Sequence, residues 1–268
     1  MKSNFIHICF VIDESGSMSS SVNDVIGGFN KLIKEQKEEK NGTCAVSLFK
    51  FNGDVTEVYR GKDVKDVKEL KEGKSFSWFR KFNNPFNNGN LSTTLNAVTN
   101  VNESETTEDN ECTYSPGGCT AMNDGIGTAI DKIGQWLAAM PEEERPEKNL
   151  IVIMTDGEEN ASQEYTLAKV KEMIKHQEEK YSWSFMYLGT DIRDTKDADA
   201  YGFKMRAYNT RDNIGNTYSC LAKSVSSYRN YDVNLDAATK SMAFSAELDT
   251  MAADLNTEYE KETGLKMA

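Results

Sequence analysis

Apolar runs alternate with helix-like segments along this chain, and this alternation limits the fold more than any other feature. The runs are almost continuously apolar, as in strands buried on both faces: FIHICFVI (5–12), NLIVIMT (149–155) and SWSFMYLG (182–189). The segments between them carry apolar residues at spacings of three and four, typical of amphipathic helices: 20–39, 120–139 and 162–180. Strands and helices in this order predict an α/β fold, a doubly wound and mainly parallel sheet with helices on both faces.

The remaining regular segments extend this pattern. Residues 44–51 (CAVSLFKF) and 54–60 (DVTEVYR) flank Asn52-Gly53, a favoured two-residue turn. They predict a hairpin that adds one antiparallel strand at an edge of the sheet. The other predicted elements are a short charged helix at 63–72, a short helix at 191–201, a strand at 203–208 and a helix at 213–228.

One long segment, residues 74–114, does not fit the alternation. It is rich in Asn, Ser and Thr and is too long for an ordinary connection. We therefore predict a partly irregular insertion within a domain that spans 1–230. Its aromatic side chains alternate with lysine and arginine and are expected to anchor it to the domain. The alternatives are stacking on a nucleic-acid strand and contact with a partner.

A helical C-terminal extension is predicted at 231–268. Apolar residues recur there at spacings of three and four: Phe244, Leu248, Met251, Leu255 and Tyr259. This stripe makes the helix amphipathic, and we expect it to pack on the domain. The alternative is self-association of the chain through this helix.

The composition argues against several classes of protein. The net charge of −12 disfavours duplex nucleic acid as the main partner, because that partner needs a basic surface. No apolar run approaches the roughly 18 residues of a membrane span, and the first residues lack the form of a signal peptide. The five cysteines are scattered, typical of reduced thiols in a cytoplasmic protein. The two histidines, His7 and His176, have no ligand-like neighbours, so zinc is not expected.

The stretch FVIDESGSMSS (10–20) places Asp13, Ser15 and Ser17 at alternate positions directly after the first strand. A serine nucleophile would need a histidine base, but one histidine lies within the first strand and the other within a predicted helix. The sequence lacks the G-x-S-x-G turn of serine hydrolases and the G-x-x-x-x-G-K-[ST] phosphate loop. An aspartate-based phosphatase of the haloacid dehalogenase type would need a second aspartate where Ser15 stands.

A site for a hard metal ion explains this stretch better. Mg²⁺ prefers oxygen ligands, and alternating Asp, Ser and Ser at the end of a strand can direct three oxygens to one point. The strand at 149–155 is also followed by a carboxylate, Asp156. In an open α/β sheet, ligands bind outside the carboxyl ends of the strands, where the chain direction reverses. Asp13 and Asp156 are therefore expected to lie close together.

DESGSM (13–18) resembles the D-x-S-x-S motif of the von Willebrand factor A domain, whose site is the metal-ion-dependent adhesion site. SPGGCTAMNDGIG resembles the family's threonine-bearing loop in bacterial and phage members, with the threonine at Thr120. MTDGEEN resembles the last part of the site, with its aspartate at Asp156. The resemblance covers about residues 5–73 and 115–228, and implies the Rossmann-like fold of that family.

The resemblance also implies the roles of the site residues. Ser15 and Ser17 would bind the metal through their hydroxyls, and Thr120 would bind it directly or through water. Asp13 and Asp156 would act largely through metal-bound waters. The metal would be Mg²⁺, or else Mn²⁺ or Ca²⁺, with one position open to an acidic oxygen of a partner protein. The glutamates that flank the site are expected to form a solvated rim: Glu14, Glu158 and Glu159.

The function implied is a cytoplasmic, divalent-metal-dependent protein-binding module without catalytic residues. Its partner would be a protein that supplies Asp or Glu to the metal, with a separate AAA+ ATPase or an assembly complex as further candidates. One alternative is a structural or assembly component, for example of a phage particle, acting through the insertion and the tail; such a chain would be virion-associated. A metal-dependent hydrolase using Asp13 or Ser15 is the other alternative, and it would need a base that the sequence does not offer.

Overall fold

The computed structural model describes residues 1–73, 112–189, 195–208 and 214–265. The predictions for the insertion therefore lie mostly outside the described residues. The strands are β1 (Lys2–Asp13), β2 (Thr43–Phe51), β3 (Val55–Asp63), β4 (Lys71–Glu72), β5 (Thr113–Tyr114), β6 (Pro146–Thr155), β7 (Ser184–Gly189) and β8 (Met205–Tyr208). The helices are α1 (Val22–Glu38), α2 (Met122–Ala139), α3 (Leu167–Tyr181), α4 (Thr195–Tyr201), α5 (Ile214–Arg229) and α6 (Ala237–Thr263).

The described residues form a main sheet of six strands in the order β3-β2-β1-β6-β7-β8. All neighbours pair in parallel except β2 and β3, which form the predicted antiparallel hairpin at one edge. This confirms the predicted fold class. The order places β1 at the centre, because the chain first builds outward from β1 to β3 and then returns to add β6 on the other side.

Two apolar cores cover the two faces of the sheet. Alternate residues of β1 point to opposite faces of the sheet. Ile8 and Phe10 therefore pack with α1, α5 and α6, whereas Cys9 and Val11 pack with α2, α3 and α4. Covering helices on both faces explain why the central strands are apolar at nearly every position.

The predicted helix at 63–72 is wrong. Only Val64–Asp66 forms a single 3₁₀ turn, and Lys71–Glu72 is instead a short strand, β4, which pairs in parallel with β5. The reason lies in contacts with α1. The Asn30 side chain accepts a hydrogen bond from Leu70 N (2.7 Å) and donates one to Leu70 O (2.8 Å), which takes these backbone groups away from a helix.

The predicted C-terminal helix is present as α6, and its apolar stripe is buried. The helix packs against α5 and β8, and its last stripe residue, Tyr259, joins the core on the opposite face from Phe244. Packing on the domain is thus confirmed. Self-association through this stripe is not supported, since its side chains are already buried within their own chain.

The same helix also covers the outer edge of β8. Asn256 accepts a hydrogen bond from Tyr208 N (2.9 Å) and donates one to Arg206 O (3.0 Å). One carboxamide thereby pairs with the two backbone groups that a further strand would otherwise use. Among the described helices, none combines the length and apolar character needed to cross a membrane.

Candidate metal centre

The site lies where β1 and β6 end side by side. The two strands pair in parallel up to Ile12 and Met154, so Asp13 and Asp156 leave the same edge of the sheet from adjacent strands. This is the point at which the strand order reverses around β1. The structure therefore brings the two aspartates to the place that the sequence predicts.

Asp13 is fully buried and fixes the turn that follows β1. Its Oδ1 accepts a hydrogen bond from Ser15 N at 2.7 Å, and its Oδ2 accepts one from the Thr155 hydroxyl at 2.6 Å. Burial raises the pKa of this carboxyl to about 6; its hydrogen bonds to Thr155 and Ser15 oppose the shift, and the nearby charge of Asp156 adds to it. A buried carboxylate in this setting favours a cation beside it.

Ser15 and Ser17 present their hydroxyls together. The two Oγ atoms lie 3.0 Å apart, within hydrogen-bond distance of each other. Ser15 is buried in extended backbone, whereas Ser17 is exposed within a 3₁₀ turn that spans Gly16–Ser20. The pair is therefore anchored on one side and open to solvent on the other.

Gly157 marks the point on which the three loops converge. A Cβ at this position would lie 3.1 Å from Thr120 Oγ1, 3.4 Å from Ser17 Oγ and 3.5 Å from Asp13 Oδ2. Oxygens from the end of β1 and the loop after it, and from the loop before α2, thus surround a place in the loop after β6 that any side chain at position 157 would enter. Asp156, directly before this glycine, is nine-tenths buried.

The Thr120 loop is held by hydrogen bonds from both neighbouring loops. Asn160 accepts from Thr120 N (2.9 Å) with its side chain and donates to Thr120 O (3.0 Å) with its backbone. On the other side, Gly16 N donates to Gly118 O at 3.2 Å, and Gly118 has a φ of +81°, which favours glycine. The threonine is therefore positioned by the other two parts of the site.

Glu14 departs from the expected solvated rim. It is buried, and its Oε1 accepts hydrogen bonds from Lys50 Nζ at 3.1 Å and from Ser115 N at 2.6 Å. Lys50 also donates to Thr113 O at 2.6 Å, and the Tyr114 hydroxyl donates to Asp13 O at 2.7 Å. These contacts join the end of β1 to the segment that leads to Thr120.

Glu159 also differs from the expectation, whereas Glu158 is exposed as a rim residue would be. Glu159 accepts hydrogen bonds from Asn123 N, at the start of α2, and from the Ser162 hydroxyl, both at 2.7 Å. Asp124 reinforces the same junction, because its carboxylate accepts from three backbone N–H groups in 163–165 at 2.8–2.9 Å. Sequence reasoning missed Asp124, since an acidic residue in the first turn of a helix is usually only a solvated one.

The donor set fits a hard cation. Hydroxyl and carboxylate oxygens suit Mg²⁺, Mn²⁺ or Ca²⁺, whereas zinc sites are built from Cys, His and carboxylate. No group of three or more His, Cys, Asp and Glu side chains suited to a metal occurs among the described residues. A metal held here would therefore have the two aspartates, the hydroxyls of Ser15, Ser17 and Thr120, and water as its possible oxygen ligands.

Neither histidine of the chain serves as a base here. His7 is buried in the middle of β1, six residues before Asp13, a separation of roughly 20 Å along a strand. His176 lies near the end of α3 and lines a cavity with residues at the amino end of β6, away from the carboxyl ends. A histidine-assisted serine nucleophile is therefore not built at Ser15 or Ser17.

No protein-family model matches the sequence, and comparison with curated proteins gives no match either. Solved structures do match. The vWF domain of the type V pili tip protein Mfa5 from Porphyromonas gingivalis has a TM-score of 0.53 at 10% identity, over 87% of this chain and 98% of that chain. Proximal thread matrix protein 1 from the mussel byssus, in a structure with a zinc occupied MIDAS motif (metal-ion-dependent adhesion site), has a TM-score of 0.48 at 15% identity. The match covers 84% of this chain and 47% of that chain. The PilB minor pilin from Streptococcus sanguinis has a TM-score of 0.46 at 15% identity, over 87% of this chain and 63% of that chain.

The chain spans about half (47%) of the mussel protein that it matches. At these identities the likeness concerns the fold and does not extend to activity. Together with the sheet order and its antiparallel edge strand, the match to the Mfa5 domain shows that the chain has the Rossmann-like fold of von Willebrand factor A domains.

Proposed function

We propose that this chain is a divalent-metal-dependent protein-binding module. Asp13, Ser15, Ser17, Thr120 and Asp156 would hold Mg²⁺, or else Mn²⁺ or Ca²⁺. The observation that carries the proposal is the convergence of Asp13, Ser17 and Thr120 oxygens around Gly157, at the switch point of the sheet. Two loops supply these oxygens and a third supplies Gly157, and hydrogen bonds between the loops hold them together.

Each residue has a role that its surroundings support. Asp13 holds the turn through Ser15 N and Thr155, so its carboxylate orients the serines. The exposed Ser17 opens the site to solvent, while Thr120 is held from the side of Asn160. A bound metal would supply a Lewis-acidic position for an oxygen from outside. Since the hydroxyls are neutral, most of the cation's charge would remain available to an acidic partner.

The negative charge of the chain itself makes binding of an acidic partner depend on the metal. At a net charge of −12, the protein repels acidic proteins at long range. Capture of an aspartate or glutamate side chain would therefore depend on the cation. The prediction that a separate AAA+ ATPase or an assembly complex supplies that side chain is unchanged.

The test combines metal binding with capture of a partner. Calorimetry should show Mg²⁺ binding that Asp13→Ala abolishes and Ser17→Ala weakens by about tenfold or more. Glu158→Gln is the matched control, because Glu158 is charged and exposed beside the site but makes no hydrogen bond there. A pull-down from native extract, in Mg²⁺ or in chelator, should then retain a partner only with metal and only with an intact Asp13.

Two results would redirect the proposal. Wild-type protein that does not bind Mg²⁺, Mn²⁺ or Ca²⁺ would exclude the metal centre itself. A partner retained in chelator and by the Asp13→Ala variant would shift binding to the insertion or the tail, as in a structural or assembly component. Metal-dependent turnover of a phosphate or acyl ester that is lost in Asp13→Ala would instead identify a hydrolase.

A further inference from the structure

Three lysines are buried among the described residues, and two of them have a glutamate partner. Lys50 pairs with Glu14 at 3.1 Å, and Lys240 pairs with Glu147 at 3.3 Å. The third, Lys148 near the start of β6, is only 2% exposed. Its Nζ donates to Ser182 O and to Ser241 Oγ, both at 2.8 Å, and within the described part of the chain no carboxylate pairs with it.

An unpaired buried ammonium is costly, so a counter-charge is expected nearby. Ser182 caps the carboxyl end of α3, and the partial negative charge of that helix end offsets only part of the cost. Burial lowers the pKa of Lys148 to about 8, with the charge of Glu178 acting in the opposite direction. The two hydrogen bonds leave one of the three ammonium protons to be accepted by another group.

Lys148 lines a cavity of about 270 Å³ between the sheet and α6. One water molecule takes up about 30 Å³ of liquid, so this space has room for a small ion with its hydration. Its wall carries hydroxyl groups from three elements, including Ser184, Ser241 and Ser245. Hydroxyls and an ammonium around one space are the donors that bind an oxyanion.

The two carboxylates on the wall do not cancel this attraction. Glu178 pairs with Lys204 at 2.7 Å, so Lys204 offsets part of the charge of this carboxylate. Asp249 also lines the cavity, but it is exposed, so water and salt screen its charge. Lys148 is therefore the most deeply buried of the charged groups that line the cavity.

We propose that this cavity is a binding site for a small oxyanion, held by Lys148 together with the hydroxyls of Ser241 and Ser245. It lies at the amino ends of the strands and is independent of the metal centre at their carboxyl ends. Since Ser241 and Ser245 belong to α6, a bound anion would also strengthen the attachment of the tail helix to the sheet.

The test uses the full chain in chelator at pH 7, titrated with sodium sulfate, inorganic phosphate or sodium acetate at constant ionic strength in chloride. Sulfate or phosphate should raise the unfolding temperature by about 2–5 °C at ten times its Kd, and acetate distinguishes a carboxylate ligand from a tetrahedral one. Lys148→Met should remove the shift. Lys180→Met is the matched control, because Lys180 is an exposed lysine of α3 that does not line this cavity, and this variant should keep the shift.

The variants also separate binding from folding. Replacing an unpaired buried charge by a side chain of similar volume is often neutral or stabilising, so Lys148→Met is expected to fold. If it does not, Ser245→Ala should weaken binding severalfold while leaving the lysine in place. Wild-type protein that responds to none of the three anions beyond chloride, or a Lys148→Met variant with unchanged affinity, would overturn the proposal.

Discussion

His7 shows how a single buried side chain makes stability depend on pH. Its Nε2 lies 2.8 Å from Ser47 Oγ, its Nδ1 lies 3.2 Å from Asn149 Oδ1, and its ring packs beside Trp136. Burial lowers the pKa of His7 from 6.5 to about 3, partly opposed by the hydrogen bond to Asn149. The native state thus keeps this imidazole neutral where the unfolded chain would protonate it.

The sign of the effect follows from this difference. Below pH 6.5 the unfolded state binds a proton that the native state does not, so native stability falls as the pH falls towards 3. Relative to a His7→Gln variant, the wild type should lose about 1.4 kcal/mol per pH unit in that window. Denaturant unfolding at several pH values would measure this loss, with His176→Gln as a control on an exposed helix surface. An NMR titration in which the His7 ring protonates near pH 6 would contradict it.

Asp124 is the second residue with a measurable role. Its carboxylate accepts three backbone hydrogen bonds from residues 163–165, and so fixes the loop that follows Asp156, the aspartate of the proposed metal site. We expect Asp124→Ala to lower the free energy of unfolding by about 2–3 kcal/mol, because it leaves three partly buried N–H groups without their acceptor. Mg²⁺ affinity should fall as well, since Asp156 and Gly157 belong to the same loop.

The control for Asp124 is Asp131→Ala on the same helix. Asp131 is exposed and accepts only the Tyr165 hydroxyl, so its loss should cost much less and leave metal binding unchanged. Urea unfolding and calorimetry of both variants provide the comparison. Equal effects of the two substitutions would mean that the three backbone hydrogen bonds to Asp124 add no more stability than the single hydrogen bond to the exposed Asp131.

At the scale of elements, periodicity predicted which segments become helices and strands. It did so because the central strands are covered on both faces and each helix buries one face. The spacing of apolar residues therefore indicates which positions are buried. The predicted helix at 63–72, directly after β3, is wrong for a reason that periodicity does not capture. Its backbone groups at Leu70 are taken by Asn30, a contact 40 residues away that no local pattern indicates.

The same limit applies to the candidate site. The aspartate, serine and threonine positions follow from short motifs next to apolar strands, and the structure brings Asp13, Ser17 and Thr120 together. For Glu14 the sequence predicts a place in a solvated rim, because acidic residues in loops are usually exposed. Its burial depends on Ser115, 101 residues later, and on Lys50 in the neighbouring strand. Sequence alone shows the charge of such residues but not their partners.

The edge of the sheet gives a prediction at the element scale. Asn256 satisfies the outward N–H of Tyr208 and the outward C=O of Arg206. Asn256→Ala should lower the free energy of unfolding by about 2 kcal/mol and increase aggregation, because an uncovered strand edge can pair with another chain. Urea unfolding and light scattering would measure both effects.

Thr257→Ala is the control for the edge. Thr257 is the next residue on α6, is exposed, and bonds only to Ala253 O within its own helix. The Thr257→Ala substitution should change the free energy of unfolding by no more than a few tenths of a kcal/mol, and it should leave aggregation unchanged. If the Asn256 variant scatters no more light than this control, the amide does not protect the edge.

For the molecule as a whole, the metal should contribute to stability. Asp13 and Asp156 are close enough for the charge of one to raise the pKa of the other, so the metal-free protein holds two repelling carboxylates. We expect saturating Mg²⁺ to raise the free energy of unfolding by about 1–3 kcal/mol. Thermal unfolding with Mg²⁺ and with chelator measures this, and the Asp13→Ala variant should show no such difference.

The amide of Asn256 also has a consequence for synthesis on the ribosome. Its partner in β8 is made 48 residues earlier. At about 5–20 residues per second, the outer edge of β8 waits roughly 2–10 seconds for the residue that covers it. During that interval the nascent chain offers a free strand to neighbouring chains on the same messenger RNA. Slow translation of the last helix should therefore lower the yield of native protein, and a chaperone that binds extended segments should restore it.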